Sequence, residues 1–450
     1  CGDQVVEVLV NHKICKSKIA HQKVISLFKK VKLPEPETTF DKYPHQISGG
    51  QKQRVMIAMA IACKPKLLIA DEPTTALDVS VQKDIMALLK QLQQDHEMGV
   101  IFISHDLALV KNIADDIMVM YQGEIVEQQT AEDIFNHPRE TYTKALMSAR
   151  PQANKRLKRL PTIKDFTAEN FVEHVETDIE RKNRHQLLYN AEPILKIKNL
   201  NKSFKINSSF FKKSAYFKAI DDVSFEVFEG EKLGVVGESG CGKTTLGHLV
   251  TGLISADSGS IKYTDLDIAQ LNKKQLKTIK KDIQIIFQDP YSSLNPRLTI
   301  GEAIAEPMIV HQLEMKSKQR KHNVFRLLEA VGLSQDHYNR YPHEFSGGQR
   351  QRIGIARCLA LEPKVIICDE SVSALDISVQ AQVLNLLEDL KDKFNLTYIF
   401  ISHDLSVVRQ FSDRILVMKN GKIVEQGEAD KIYLNPKKSY TKKLIDAIPV

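Results

Sequence analysis

The run GlyGluSerGlyCysGlyLysThr at 237–244 carries the most specific chemistry in this sequence. It follows a short apolar stretch, LeuGlyValVal at 233–236, and precedes a helix-compatible segment. Strand, GlyxxxxGlyLysThr and helix, in that order, form a phosphate-binding loop. Gly237, Gly240 and Gly242 let backbone N–H groups converge on phosphate oxygens, the following helix presents its positive end, and Lys243 adds a point charge. With Glu238, Ser239, Cys241 and Thr245 beside them, these residues are the expected cradle for a nucleotide's phosphates, and the Thr244 hydroxyl is expected to ligate magnesium. The plain alternative is a Gly-rich strand-to-helix turn with no ligand, and the full pattern in its expected context weighs against it.

Two carboxylates close another apolar run. ValIleIleCys at 365–368 reads as a buried strand and leads into Asp369 and Glu370. Carboxylates leaving the C-terminal edge of a parallel sheet lie where α/β folds bind ligands. Asp369 is expected to hold hydrated magnesium, and Glu370 to orient or deprotonate an attacking water, as in P-loop nucleotide hydrolases. AspGlu pairs are common in solvated turns, so this pair takes its meaning from the phosphate loop and the strand before it. His403 follows a further apolar strand, TyrIlePheIleSer at 398–402. One such His is more often structural than catalytic. Ser346, Gly347, Gly348 and Gln349 read as a helix N-cap whose backbone donors could receive an anion, with a simple turn as the alternative.

Repetition bears on both of these cases. IleSerGlyGlyGlnLysGlnArg at 47–54 recurs as PheSerGlyGlyGlnArgGlnArg at 345–352, AspGlu at 71–72 recurs at 369–370, and IleSerHisAspLeu at 103–107 recurs at 401–405. Each pair is offset by 298 positions (346 − 48, 369 − 71, 403 − 105). Ser48, Gly49, Gly50 and Gln51, with Asp71, Glu72 and His105, are therefore first-copy counterparts. Gly2 matched to Gly301 gives 299, one insertion from the same register. The first copy is expected to lack its front half, and its intact Asp71, Glu72 and His105 suggest that the natural protein carries that half upstream of Cys1.

Composition sets the frame for these elements. A chain of 450 residues with 42% apolar and 26% charged residues is an ordinary folded protein, which excludes disordered and fibrous classes. The copies divide it into residues 1–150, a linker at 151–193 with a basic block LysArgLeuLysArg at 155–159 before an acidic stretch around Glu169 to Glu180, and residues 194–450. A net charge of +7 does not choose among anionic ligand, membrane surface and nucleic acid. The 6 cysteines show no metal spacing and read as reduced thiols. No apolar run reaches the ~18–20 residues needed to span a bilayer, so any membrane role is peripheral.

Taken together, the phosphate loop at 237–244, Gln288 in IlePheGlnAspPro, the SerGlyGlyGln at 346–349, Asp369 and Glu370, SerAlaLeuAsp at 373–376 and His403 resemble, in type and order, the ATP-binding cassette (ABC) family. The resemblance covers essentially the whole chain and implies an α/β fold: two ABC ATPase domains of the P-loop nucleotide hydrolase type in tandem, the first without its front half. Ser371 stands where proline is more usual; the first copy has Pro73. Within the family, GlnAspProTyrSerSerLeuAsnProArg at 288–297, the AspValSerValGln and AspIleSerValGln runs, and the two copy ends HisProArgGluThrTyrThrLysAlaLeu and AsnProLysLysSerTyrThrLysLysLeu look like the ATPase of dipeptide and oligopeptide importers.

The resemblance implies ATP and Mg2+ as cofactors, with Thr244, Gln288 and Asp369 around the metal and Glu370, Gln288 and His403 catalytic. It further implies head-to-tail pairing of cassettes, so that Ser48, Gly49 and Gly50 close the site built on Lys243. The adenine is expected to stack on Phe204, with Tyr216 as the alternative because an insertion at 205–215 blurs the register. Residues between Gln288 and Ser346, and their counterpart at 1–47, are expected to form a helical subdomain, with Val324, Leu327, Leu328 and Val331 as core. The expected partners are two membrane permease subunits and a solute-binding protein, at the cytoplasmic side of the inner membrane, with no nucleic acid. A rival reading is a soluble tandem ABC ATPase on the ribosome, its basic linker touching RNA.

Overall fold

The computed structural model describes all residues except 75–76, 149–154, 168–172, 207–214, 314–315, 374 and 449–450. Parts of the expected linker and insertion, including Glu169, and Ala374 of the SerAlaLeuAsp run thus lie outside the described residues. The chain forms two compact units, Cys1–Lys144 and Ala145–Ile448.

The second unit is built on a six-stranded sheet, in the order Ile283–Ile286, Val365–Asp369, Thr397–Ser402, Lys232–Val236, Arg414–Lys419 and Lys422–Glu428. The first five strands run parallel and the last pairs antiparallel. Val365–Asp369, Thr397–Ser402 and Lys232–Val236 are buried along their whole length, which is why they read as continuous apolar runs and not as alternating ones. One face is covered by the helix Lys243–Val250 and a four-stranded antiparallel sheet centred on Pro193–Ile206 and Ala215–Phe228. The other packs on helices that include Ile300–Val310, Ser317–Ala330, Gly347–Leu359 and Ile377–Phe394. Val324, Leu327, Leu328 and Val331 are buried there, so the apolar stripe between Gln288 and Ser346 is core.

The first unit repeats the later elements: helices Gly2–Asn11, Ser17–Lys30 and Gly49–Ile61, a parallel pair Leu67–Asp71 with Gly99–Ile103, and an antiparallel pair Asp116–Tyr121 with Glu124–Thr130. Its strand pattern differs in one respect. Leu67, Ile69, Ile101, Ile103, Met118 and Met120 are exposed, Ile69 at 62%, whereas Ile367 at the equivalent position of the second unit is fully covered. In the second unit the covering layer is the helix after the phosphate loop, whose Gly247 lies against Ile367 and Ile401.

Residues 155–167 and 173–190 carry structure of their own within the second unit. Leu157 bridges Val175, the helix Asp178–Tyr189 starts from a Thr177 and Glu180 capping box, and Asn385 brackets Leu160 through both its N–H and its C=O. The basic block is paired throughout: Lys155 with Glu173, Lys158 with Glu180, Arg159 with Asp389, and Arg156, only 6% exposed, with Glu176 and Asp430.

Two buried carboxylates anchor this strap. Asp430 receives Arg156, Arg181 and Arg409, and Asp413 receives Arg184, His185 and the Lys232 N–H. Burial pushes the Asp413 carboxyl up, but the His185 ring 3.5 Å away, the charges of Lys232 and Arg184 and the Lys232 amide outweigh it, so its pKa lies below the ordinary value. The Asp430 carboxyl is lowered too: burial is outweighed by the Arg409 hydrogen bond and the charges of Arg156, Arg409 and Arg181. A carboxylate with a depressed folded pKa contributes stability that is complete above its unfolded value of ~3.9 and is lost as pH falls below it. Resistance to denaturant is therefore expected to fall steeply below about pH 4. Asp413→Asn should cost about 2 kcal/mol at neutral pH and flatten that acid slope; an unchanged slope would show that Asp413 does not hold the strap.

Candidate active site

Parallel pairing brings the four chemical segments to one edge. Ile286 lies opposite Cys368, Asp369 opposite Ile401, and Ser402 opposite Val236, so the strands deliver Gln288, Asp369 with Glu370, His403 and the phosphate loop at the same end of the sheet. This is the C-terminal edge, where open α/β sheets hold ligands.

The loop's conformation demands glycine at two positions. Gly242 has φ +110°, and a Cβ there would lie 2.3 Å from the Ala219 carbonyl oxygen. Gly237, at φ +155°, is pressed as closely on the Met418 carbonyl oxygen. The helix Lys243–Val250 therefore starts from a glycine with no side-chain cap, leaving its N-terminal donors to an anion. Lys243 is buried, and its Nζ donates to the carbonyls of Gly237 at 2.7 Å and Glu238 at 3.1 Å, bridging the two ends of the loop. Gly421 N–H donates to the Cys241 carbonyl and locks the loop's middle to the neighbouring turn.

Beside the loop, the Thr244 hydroxyl donates to Asp369 Oδ1 at 3.2 Å. A hydroxyl and a carboxylate oxygen at this separation are the hard donors that magnesium takes, so the residues fit that ion. Burial raises the Asp369 carboxyl above its ordinary value; the Thr244 bond opposes the rise and the neighbouring Glu370 charge adds to it.

Glu370 is gripped from three sides. Gln288 Nε2 donates to its Oε2 at 3.0 Å, His403 Nδ1 lies 3.4 Å from the same oxygen, and Lys243 Nζ is 3.8 Å from Oε1. Burial pushes its carboxyl up, but the His403 hydrogen bond and the charges of His403 and Lys243 prevail and hold it below the usual value. The backbone at Glu370 is left-handed, φ +47°, and the Glu370 N–H donates to Ile401 O. A non-glycine residue held there stores local strain, which a site keeps when it aims a side chain. Ser373 was not singled out by sequence reasoning, yet its N–H and hydroxyl both hold the Glu370 carbonyl; its place in the SerAlaLeuAsp run was the available signal.

The first unit repeats this arrangement. Glu72 has φ +44°, its N–H donates to Ile103 O, and His105 Nδ1 is 3.0 Å from Glu72 Oε1. Asp71 is exposed beside it. Ser48 and Ser346 each cap a 13-residue helix in a box with Gln51 and Gln349. Gly50 and Gly348 are required by packing: a Cβ would meet Val81 at 2.6 Å and Val379 at 2.4 Å. Gly49 and Gly347 open the same helices.

Phe204 is 42% exposed on the hairpin and stands opposite Phe217, also exposed, with Lys202 Nζ 5.6 Å from the Phe204 ring centre. Tyr216 projects beside them and is more exposed than either. Phe217 escaped the sequence reading because only strand pairing places it opposite Phe204.

Residues 3–75 and 220–373 match the family model described as ABC transporter, and residues 126–173 and 424–450 match that of the oligopeptide/dipeptide transporter C-terminal region. The chain is 47% identical to the glutathione import ATP-binding protein GsiA of Shigella boydii serotype 4 (strain Sb227), with 100% of this chain and 72% of that protein covered. The protein of the same name from Escherichia coli (strain K12) is 46% identical with the same coverage. Among solved structures, the dimeric ATP-binding cassette MJ0796 bound to ADP and Pi is 29% identical at a TM-score of 0.47, covering 52% of this chain and 98% of that one.

Proposed function

Because the chain belongs to the ABC transporter family, we propose that its second copy hydrolyses ATP with Glu370 as general base, Lys243 and the loop amides as the phosphate cradle, and Gln288 and His403 as the groups that aim Glu370. The protein is the ATP-hydrolysing subunit of an importer and works with membrane permease subunits. The grip on Glu370 is the observation that carries the assignment. A carboxylate kept ionised and fixed by two neighbours can take a proton from water at neutral pH. Phosphoryl transfer needs little else from the protein beyond positioning and charge. Thr244 and Asp369, with Gln288 beside them, would hold magnesium, which neutralises phosphate charge when bound. Asp369 and Thr244 themselves fix the edge of the cradle nearest Glu370.

The two copies pair head to tail, Ser48, Gly49, Gly50 and Gln51 closing on the nucleotide held by Lys243, while Ser346, Gly347, Gly348 and Gln349 serve the reciprocal position beside Asp71, Glu72 and His105. The complementary motifs of the copies support this pairing. Phe204 provides the adenine platform, its exposed ring lying on the strand pair that packs against the loop through Ala219. Two variants separate these roles: Ser48→Ala lowers turnover with ATP binding kept, and Phe204→Ala raises KM for ATP about fivefold with kcat kept. The reverse pattern in either would reject that role.

The solute is a short peptide. The C-terminal oligopeptide/dipeptide match and relatives named for glutathione import support this class, glutathione being itself a tripeptide. A solute-binding protein delivers it, and the ATPase lies peripherally at the cytoplasmic face of the inner membrane; no helix of the described residues is long and apolar enough to cross a membrane. The test is a detergent-solubilised pull-down with mass spectrometry, followed by uptake of labelled glutathione and dipeptides by cells lacking the protein. Co-purified permeases and lost peptide uptake are expected. Ribosomal proteins without a permease would overturn the importer assignment, and unchanged peptide uptake would overturn the solute class.

A further inference from the structure

The helix Ser439–Asp446 follows the last strand of the second unit and lies in the region matching the oligopeptide/dipeptide transporter C-terminal model, outside the segments that match the cassette itself. Its Tyr440 is only 8% exposed, and its hydroxyl accepts the backbone N–H of Glu238, the second residue of the phosphate loop, at 3.2 Å. Lys419 Nζ lies 4.7 Å from the ring centre, fixing the phenol from the end of the strand that carries Met418 against Gly237.

The helix is held in place by a carboxylate. Glu425 on the preceding strand accepts the N–H groups of Lys437 and Lys438, at 2.8 and 3.2 Å, and the hydroxyl of Thr441. Three donors on one carboxylate fix where the helix begins, and Tyr440 is the neighbour of Thr441. The first unit builds the backbone part of the same clamp: Glu127 accepts from Arg139 and Glu140 at 2.8 and 3.2 Å, and Tyr142 occupies the place of Tyr440 with its ring against Tyr121. A clamp made twice from residues 298 positions apart (425 − 127) is a built feature of this chain.

We propose that Tyr440 is a positioning residue for ATP binding, which holds the front of the phosphate loop so that the C-terminal region is part of the nucleotide site's scaffold. This rests on the assignment of residues 237–244 as the nucleotide cradle. Lys243 closes the loop from inside through the carbonyls of Gly237 and Glu238, and Tyr440 holds Glu238 from outside through its N–H. With both in place, the loop's donors are aimed before the nucleotide arrives, and less ordering is left to be done on binding.

The test compares Tyr440→Phe with Lys243→Ala in the full chain, measuring MgATP affinity with a fluorescent ATP analogue, KM and kcat for ATP, and the unfolding midpoint without nucleotide. Phenylalanine keeps the ring and removes only the hydroxyl, so the unfolding midpoint should stay within about 2 °C. Kd and KM should rise about fivefold with kcat kept, the fold-change equivalent of one hydrogen bond's net ~1 kcal/mol. Thr441→Val, which removes one of the three bonds from Glu425 that fix the start of the helix without touching Tyr440 or the loop, should raise Kd in the same direction. Tyr440→Phe with Kd within twofold of the parent, alongside Lys243→Ala that no longer binds, would overturn the proposal and leave the cradle assignment standing. Normal binding by Lys243→Ala would overturn both. A fallen midpoint with Kd unchanged in both helix variants would make Tyr440 merely structural and reject the proposal.

Discussion

Glu370→Gln is expected to lower steady-state ATP turnover at least about a hundredfold while ATP affinity stays within about twofold, the loss typical of removing a general base. The amide keeps the shape of the side chain and can still meet Gln288 and His403, but it cannot accept a proton from water. Every other phosphate-binding group is untouched, since Lys243 bridges the loop through carbonyls and not through Glu370 alone. Single-turnover hydrolysis of bound ATP separates the steps. Normal affinity with a slow chemical step supports the base assignment, and turnover equal to the parent would remove Glu370 from it. Because His403 and Lys243 hold the carboxyl below its ordinary value, protonation of Glu370 should not limit the parent enzyme at pH 5 or above.

Lys243→Ala is expected to act on binding. The ammonium is the buried cation of the cradle and also makes two hydrogen bonds inside the loop, so alanine removes charge and closure together. Charge-assisted bonds contribute about 1.5–3 kcal/mol each, and losing two of them corresponds to a fall in ATP affinity of about a hundredfold or more. Calorimetric titration with MgATP checks it. The loss should not be rescued by Lys243→Arg, whose planar fork does not fit a space shaped around a single point donor. An affinity close to the parent's would mean that the cradle lies elsewhere.

What the sequence alone determined is the chemistry and its order along the chain. The phosphate loop is legible because Gly237 and Gly242 adopt conformations and close approaches that a side chain forbids, and such positions leave the same residue types wherever the chemistry recurs. The buried strands before Asp369 and His403 were legible for the same kind of reason: a parallel sheet covered on both faces needs unbroken apolar runs. The repeat at 298 made His105 and His403 interpretable, and both proved to face a glutamate held in left-handed backbone.

Which distant residues meet is set by how the strands and helices pack. That Gln288, His403 and Lys243 converge on one carboxylate follows from the strand order, which no local pattern encodes. Read by composition, residues 155–159 were a basic run in a linker; folding gives each cation of that block an acid, some more than 200 residues away, and buries Arg156, whose charge must then be paired. Tyr440 was in view as part of a recurring TyrThrLys run, but its bond to the phosphate loop joins residues 202 positions apart. Contacts of that separation are set by how layers pack, and a one-dimensional pattern records the residues without recording the contact.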